Sequence, residues 1–284
     1  MVFANDTVNQ SASFMPGALT GTGSIIKTGS QVTALIGGAG SAGALTNFAG
    51  LIDVQGGTLY INPNGSSVAA TGTRLKSSAG TLYMIRGNMT VDYANLTGGI
   101  ICNYSAYNAV FTVGSATTNS NIDGPITATY SFGIGKTGAT TVLLLNNSGN
   151  NYTGATTITA GGLGGSGSSA SSAHTVASGA WIFGGTGAGN AGTYTSGTLA
   201  FASGSILKVY SDGTSVSRVT SGAITVTTGF VVNLMEAMPA GTDIVLLANT
   251  GALPAIVPSL VNNSGRAATN LRWKAGTGLV VTLT

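Results

Sequence analysis

Short runs of four to seven residues recur along the whole chain, many alternating apolar and polar positions, with Gly, Asn and Ser between them. Thr58-Leu-Tyr-Ile-Asn62, Thr81-Leu-Tyr-Met-Ile85, Thr141-Val-Leu-Leu-Leu145 and Thr156-Thr-Ile-Thr159 are of this kind. So are Ile206-Leu-Lys-Val-Tyr210, Ala223-Ile-Thr-Val-Thr227, Asp243-Ile-Val-Leu-Leu247 and Leu279-Val-Val-Thr-Leu283. A period of two is the mark of a half-buried strand. Gly-Thr-Leu, or a near variant, opens such runs at Gly57, Gly80 and Gly197: a turn glycine, an edge threonine, an inward leucine. The most apolar stretch, Phe230 to Val261, is interrupted by Glu236, Pro239, Asp243 and Pro254. It reads as core strand, because a membrane-spanning helix needs about 20 consecutive apolar residues.

Composition removes the helical alternatives. Charged residues are 6 % of the chain, against roughly 25 % in ordinary soluble proteins. Glu occurs once, at Glu236. Gly, Ser, Thr, Asn and Val are poor helix formers, and the residues that normally coat a surface helix are nearly missing. Hydrophobic residues nevertheless make up 43 % of the 284, too many for disorder. The expected fold is all-β, with an aliphatic interior and an exterior of hydroxyls and amides whose Thr and Ser ladders bond one another across strands.

Ten Lys and Arg against seven Asp and Glu give a net charge of +3, and the cations are dispersed, so no nucleic-acid partner is expected. The densest group, Arg266, Arg272 and Lys274, is expected to solvate a terminal region. The lone Cys102 has no partner for an internal disulfide, and its neighbours Ile100 and Ile101 suit a small buried side chain. The first ten residues lack a basic segment followed by an apolar one, so no secretion signal and no membrane insertion are expected.

A longer self-similarity organises the strands. Phe48-Ala-Gly-Leu-Ile-Asp-Val-Gln-Gly-Gly-Thr-Leu59 aligns without gaps on Tyr152-Thr-Gly-Ala-Thr-Thr-Ile-Thr-Ala-Gly-Gly-Leu163. An aromatic residue, a Gly two places on, Val54 or Ile158, Gly57 or Gly161, and Leu59 or Leu163 coincide. Lys27-Thr28-Gly29 and Lys136-Thr137-Gly138 lie upstream of the two blocks. Units that cannot bury their own apolar face complete a core by stacking on neighbours, which makes a solenoid. At roughly 20 residues per coil the chain supplies at most about 14 coils, a rod of about 65 Å at the strand spacing.

The segment from Gly135-Lys-Thr-Gly through Asn151-Tyr-Thr-Gly to Gly162-Leu163 resembles the autotransporter-associated β-strand repeat. That pattern has a Lys-x-Gly, a leucine-alternating strand, an Asn-x-Tyr-x-Gly turn, then Thr-x-Ile and Gly-x-Leu. Ala177-Ser-Gly-Ala-Trp-Ile-Phe-Gly-Gly-Thr-Gly187 and the run from Gly197 to Ile206 are similar to passenger sequence. The likeness is strong over 135–163, extends over 22–62 and 177–284, and does not reach 1–20. It implies a right-handed parallel β-helix with an adhesive or scaffolding role. The organisation expected is an N-terminal arm or cap over 1–21, a first solenoid segment over 22–134, and a second over 135–284 that ends in C-terminal strands or a cap.

Candidate chemistry is sparse. Gly135-Lys136-Thr137 is like the end of a phosphate-binding loop, but Tyr130 stands where that loop needs a glycine. His174 is the sole histidine, in or beside a Gly/Ser-rich run, and is expected in a solvated loop. One His and one Cys cannot make a conventional zinc site. Asp53, Asp92 and Asp123 lie at intervals that could stack carboxylates on successive coils for glycoside cleavage, although turn capping is the expected role. The best ligand-like patch joins Tyr93, Asn95, Asn103, Tyr104, Tyr107 and Asn108, aromatic rings beside amides that suit a glycan or a protein contact.

The expectation is therefore a structural surface protein without catalytic residues, cofactor or metal. It would be a virion component (fibre, spike or capsid decoration) made in a cytoplasm and used outside it, self-associating with its own kind and with other virion or surface proteins, and touching a host glycan. The alternatives are an autotransporter-type bacterial adhesin fragment at the cell surface and a polysaccharide-depolymerising tailspike.

Overall fold

A computed structural model describes residues 2–4, 20–36, 45, 47–62, 68–84, 87–102 and 109–284. It is all-β, with no helix among the described residues, and its stacked parallel strands form a β-solenoid of about nine turns. The rows are continuous. Ile52, Leu75, Ala94, Ser120, Leu143, Leu163, Ile182, Leu207, Val232 and Leu260 lie one above the next along one face, and all but Leu260 are buried. A second row runs Val91, Val113, Lys136, Ile158, Val176, Phe201, Val226. In the first coils a third face stacks Leu59, Leu82, Ile100 and Ile126.

Alternation makes this interior. In Val142–Leu145 and Ile206–Val209 every second residue is buried and its neighbours half-buried. Phe201 and Phe230 stack with ring centroids 4.0 Å apart, and Phe132 meets Tyr152 edge-on at 6.3 Å. A coil takes from 18 residues, Ile158 to Val176, to 28, Val232 to Leu260. The expected uniform 20 residues per coil is thus an underestimate for most turns. Nine turns rise about 43 Å at the strand spacing, less than the 65 Å upper bound.

The repeated blocks fold as the same local corner. Phe48 and Tyr152 are both buried, Lys27 pairs with Val54 and Lys136 with Ile158 one coil on, and Gly57 and Gly161 both turn with positive φ. The corners differ in place: the row of Val54 continues to Ser77, Leu96, Ile122 and Leu145, while that of Ile158 continues to Val176 and Phe201. One motif is used at two faces of the solenoid.

The drawn boundary between 134 and 135 falls inside the strand Phe132–Lys136, and the rows cross it unbroken. Of the proposed N-terminal arm, Val2–Ala4 pairs in parallel with Ile26–Thr28 and Thr20–Gly21 with Asn47–Phe48; the rest of that stretch lies outside the described residues. At the other end the pattern changes. Gly278–Leu283 runs antiparallel to both Gly241–Asn249 and Ala268–Lys274, closing one face of the stack with a hairpin. The other face ends on Ser259–Asn262, whose one strand partner among the described residues is Val231–Leu234.

Hydroxyls bond differently from the expected ladders. Thr97 Oγ1 donates to Ser77 O at 2.7 Å, Thr141 Oγ1 to Ser115 O at 2.5 Å and Thr227 Oγ1 to Phe201 O at 2.5 Å. These three bond the backbone of the rung below, and two of the carbonyls, Ser77 O and Phe201 O, also accept the backbone N–H of the same threonine at 3.1 Å. Asparagines do the converse: Asn150 Oδ1 accepts from Ile126 N and Asn151 Oδ1 from Ala128 N, each at 2.8 Å.

Candidate functional site

The ligand-like patch divides. Tyr93 and Asn95 lie on Met89–Leu96, half-buried, above Arg74 and Lys76 of the previous rung. Asn103, Tyr104, Tyr107 and Asn108 lie outside the described residues. A tyrosine pair that sequence reading passed over is outward on the third face: Tyr60 and Tyr83 occupy successive rungs and stack at 4.3 Å.

The three aspartates do not converge. Asp53 lies in a row that runs on from Ile26 to Lys76, Asn95 and Asn121, and Asp123 is two residues beyond Asn121, so three rungs, about 14 Å, separate the two carboxyls. Asp92 sits at a bulge between Val91 and Tyr93. Asp123 is held by Asn121 at 2.6 Å and Asn146 at 2.8 Å, and Asp53 by Gln55 at 2.9 Å. Asp123 is thus tied into its turn, while Asp53 keeps its other oxygen, Oδ1, buried with no hydrogen-bond partner. Paired carboxylate catalysis needs a separation of roughly 5–9.5 Å across a sugar.

His174 is not in a solvated loop. It lies in the strand Ser168–Val176 with 1 % of its surface exposed, in the inward row between Thr156 and Leu199. Its Nδ1 is 3.0 Å from Ser172 O and its Nε2 2.9 Å from Tyr194 Oη. The carbonyl can only accept, so Nδ1 carries the proton and Nε2 accepts from the tyrosine. Tyr194 Oη must then accept from Ser169 Oγ, 2.5 Å away. A parallel chain runs from Tyr152 Oη to Thr156 Oγ1 to Ser172 Oγ, 2.8 Å per step, and ends on Gly154 O at 2.7 Å. Burial drives the imidazole down to about 4 and pushes the Tyr194 phenol well above its ordinary range. The group is neutral, satisfied and sealed from solvent. It is core architecture.

Lys136 occupies an aliphatic row with 1 % exposure. Its ammonium bonds Gly138 O and lies 3.2 Å from Thr141 Oγ1, and desolvation lowers it to about 8. Lys27 does the same one repeat earlier, reaching Gly29 O at 2.8 Å. The Lys-Thr-Gly motif is therefore an internal clip on turn carbonyls, facing away from any phosphate that solvent could bring.

A cleft of about 450 Å³ opens beside the C-terminal hairpin. Thr193 and Arg218 pair on successive rungs along its floor. Thr214, Ser215 and Val216 form one wall and Pro239, Ala240, Ile244 and Val245 the other. Asp212 shapes the first wall: its Oδ1 accepts from Thr214 N, Thr214 Oγ1 and Ser215 N between 2.7 and 2.9 Å. Arg218 Nε donates to Thr193 Oγ1 at 3.2 Å.

The chain matches no protein-family model, no curated protein and no solved structure.

No cluster of three His, Cys, Asp or Glu side chains exists among the described residues. Arg272 and Lys274, expected only to solvate a terminus, both grip Asp243, at 2.5 and 2.7 Å, and Arg266 Nε donates to Met238 O at 2.6 Å. They tie the hairpin to the body. Cys102 is 3 % exposed and burial raises its thiol to about 11. It is expected to remain unmodified by a thiol-reactive dye at pH 8 for as long as the fold persists, and to react stoichiometrically in denaturant; rapid labelling of the native protein would contradict that burial. Among the described residues no helix is long and apolar enough to cross a membrane.

Proposed function

We propose that the chain is a non-enzymatic structural component of a virion surface, a fibre, spike or capsid decoration that assembles with copies of itself. The observation that carries the reading is the terminal rung. Ser259 N and Asn263 N reach back to Phe230 O and Leu234 O at 3.1 and 3.0 Å. The backbone groups of Leu260 and Asn262 therefore face away from the stack. Val257 and Val261 are 50 % and 44 % exposed beside this edge. An open strand edge with apolar neighbours is a template for another chain, and only 6 % charged residues leave little repulsion to keep copies apart. The separation of Asp53 from Asp123 by three rungs favours a scaffold over a polysaccharide-cleaving spike. The resemblance of 135–163 to autotransporter repeats supports an extracellular working place and keeps a cell-surface adhesin as the rival.

Sedimentation velocity over a hundredfold concentration range is expected to show a defined oligomer. Val261→Lys, a charge on the open edge, is expected to weaken association at least tenfold without lowering the unfolding midpoint. A wild-type chain that stays monomeric throughout would sink the self-assembly part. Antibody labelling of intact particles and of intact cells separates virion from adhesin: label on cells alone would overturn the virion assignment.

A further inference from the structure

We infer that the cleft over Arg218 is a binding site for a carboxylate-bearing saccharide of one or two rings. The floor supplies the charge. Among the described residues the ion pairs are those of Asp243 with Arg272 and Lys274, so the Arg218 guanidinium has no carboxylate of its own. Its Nε is anchored on Thr193, which leaves the two Nη groups presented together, the fork that takes a carboxylate bidentately.

The acid beside that wall is turned to the backbone. Asp212 is not among the residues that line the cleft; its Oδ1 accepts from Thr214 and Ser215, and those bonds hold its carboxyl below the usual carboxylate range. Because Thr214 Oγ1 donates to Asp212, its remaining capacity is as an acceptor; because Thr193 Oγ1 accepts from Arg218, its hydrogen is left to donate. One donor and one acceptor at fixed places, beside the Ser215 hydroxyl, suit the vicinal hydroxyls of a sugar. Opposite them Pro239, Ile244 and Val245 offer an apolar wall for the C–H face of a ring. The volume of about 450 Å³ lies within the 300–1,000 Å³ usual for small-molecule sites. A simple anion would use the arginine and leave the rest of the cleft idle. A neutral sugar would leave the guanidinium unpaired.

The inference goes beyond the scaffold reading and does not depend on self-association. Calorimetric titration of the full chain with glucuronate, glucose and acetate tests it. Glucuronate is expected to bind with a Kd of about 1 mM or below, with glucose and acetate at least tenfold weaker. Arg218→Gln is expected to cost at least tenfold in glucuronate affinity, and Val216→Trp, which fills the cleft and leaves Arg218 in place, to abolish binding. Arg74→Gln, on a distant coil, is expected to change nothing. Unfolding midpoints and sedimentation of the three variants, matched to wild type, separate lost binding from lost fold. Acetate binding as tightly as glucuronate reduces the site to a bare anion contact and overturns the inference. Equal affinity for glucose, full affinity in Arg218→Gln, or no binding of glucuronate overturns it as well.

Discussion

Gly161→Val is expected to lower the free energy of unfolding by about 4 kcal/mol or more. Gly161 turns its corner at φ 72°, a region that costs an L-residue roughly 1–2 kcal/mol. Space adds the larger share. A Cβ there would lie 2.0 Å from Gly138 O, 2.5 Å from Thr141 O and 2.8 Å from Lys136 Nζ. The first two are backbone atoms of the preceding coil and have nowhere to go without opening the rung. Gly276 is the control: its φ is 69°, and nothing lies within 4 Å of its built Cβ. Gly276→Ala should therefore cost only the conformational share, about 1 kcal/mol. Urea unfolding followed by far-UV dichroism measures both. Equal, small losses at the two sites would mean that coils are not stacked as closely as described.

Acid is expected to weaken the fold through His174. Its pKa in the folded protein is about 4, against an ordinary 6.5. Above pH 6.5 both states hold it neutral and it contributes no slope. Below that the unfolded chain takes up a proton that the native core refuses, so stability falls as pH drops from 6.5 toward 4. Over that window the loss approaches about 3 kcal/mol. His174→Gln keeps an acceptor for Tyr194 and has nothing to titrate. Its unfolding free energy is expected to be flatter than wild type by that amount between pH 6.5 and 4. Identical pH profiles would mean that the imidazole is protonated in the native state or reached by solvent.

The strands were legible because their signal is the one that physics makes strongest. All eight alternating runs named from the sequence overlap strands, and Thr58–Asn62 matches end to end. Alternation fixes which side chains point inward before any tertiary contact is known. Gly57 and Gly80 do precede strands, but Gly197 lies within Thr193–Phe201. There a Cβ would sit 2.5 Å from Ala170 O, so this glycine marks a bend inside a strand and not the start of one.

What sequence reading missed was polar. The run from Gly161 to Ser172 looks like a linker, yet it holds the strand Gly162–Gly164 and opens Ser168–Val176. Gly162 and Gly164 are small because the rings of Trp181 and Phe183 lie on them; a Cβ would come within 2.0 and 2.4 Å of those rings. Ser169 and Ser172 are small and polar because they complete hydrogen-bond chains from buried tyrosines. Low complexity and looseness are different properties, and only the partners, 16 to 25 residues away, tell them apart. The Arg218 cleft was invisible for the same reason: its walls come from three separated segments, none with a motif.

Coil length varies from 18 to 28 residues, while every coil adds the same single strand spacing. The molecule is in effect a ruler graduated in rungs and indifferent to how many amino acids each graduation contains. Excising one whole circuit, as from Leu163 to just before Ile182, would shorten it by one graduation and leave each remaining side chain on its own side of the wall. Removing an odd number of residues from within a single strand would turn the rest of that strand inside out. Gene-level insertions and losses that keep such a protein folded should therefore change its height in discrete increments of about 4.8 Å.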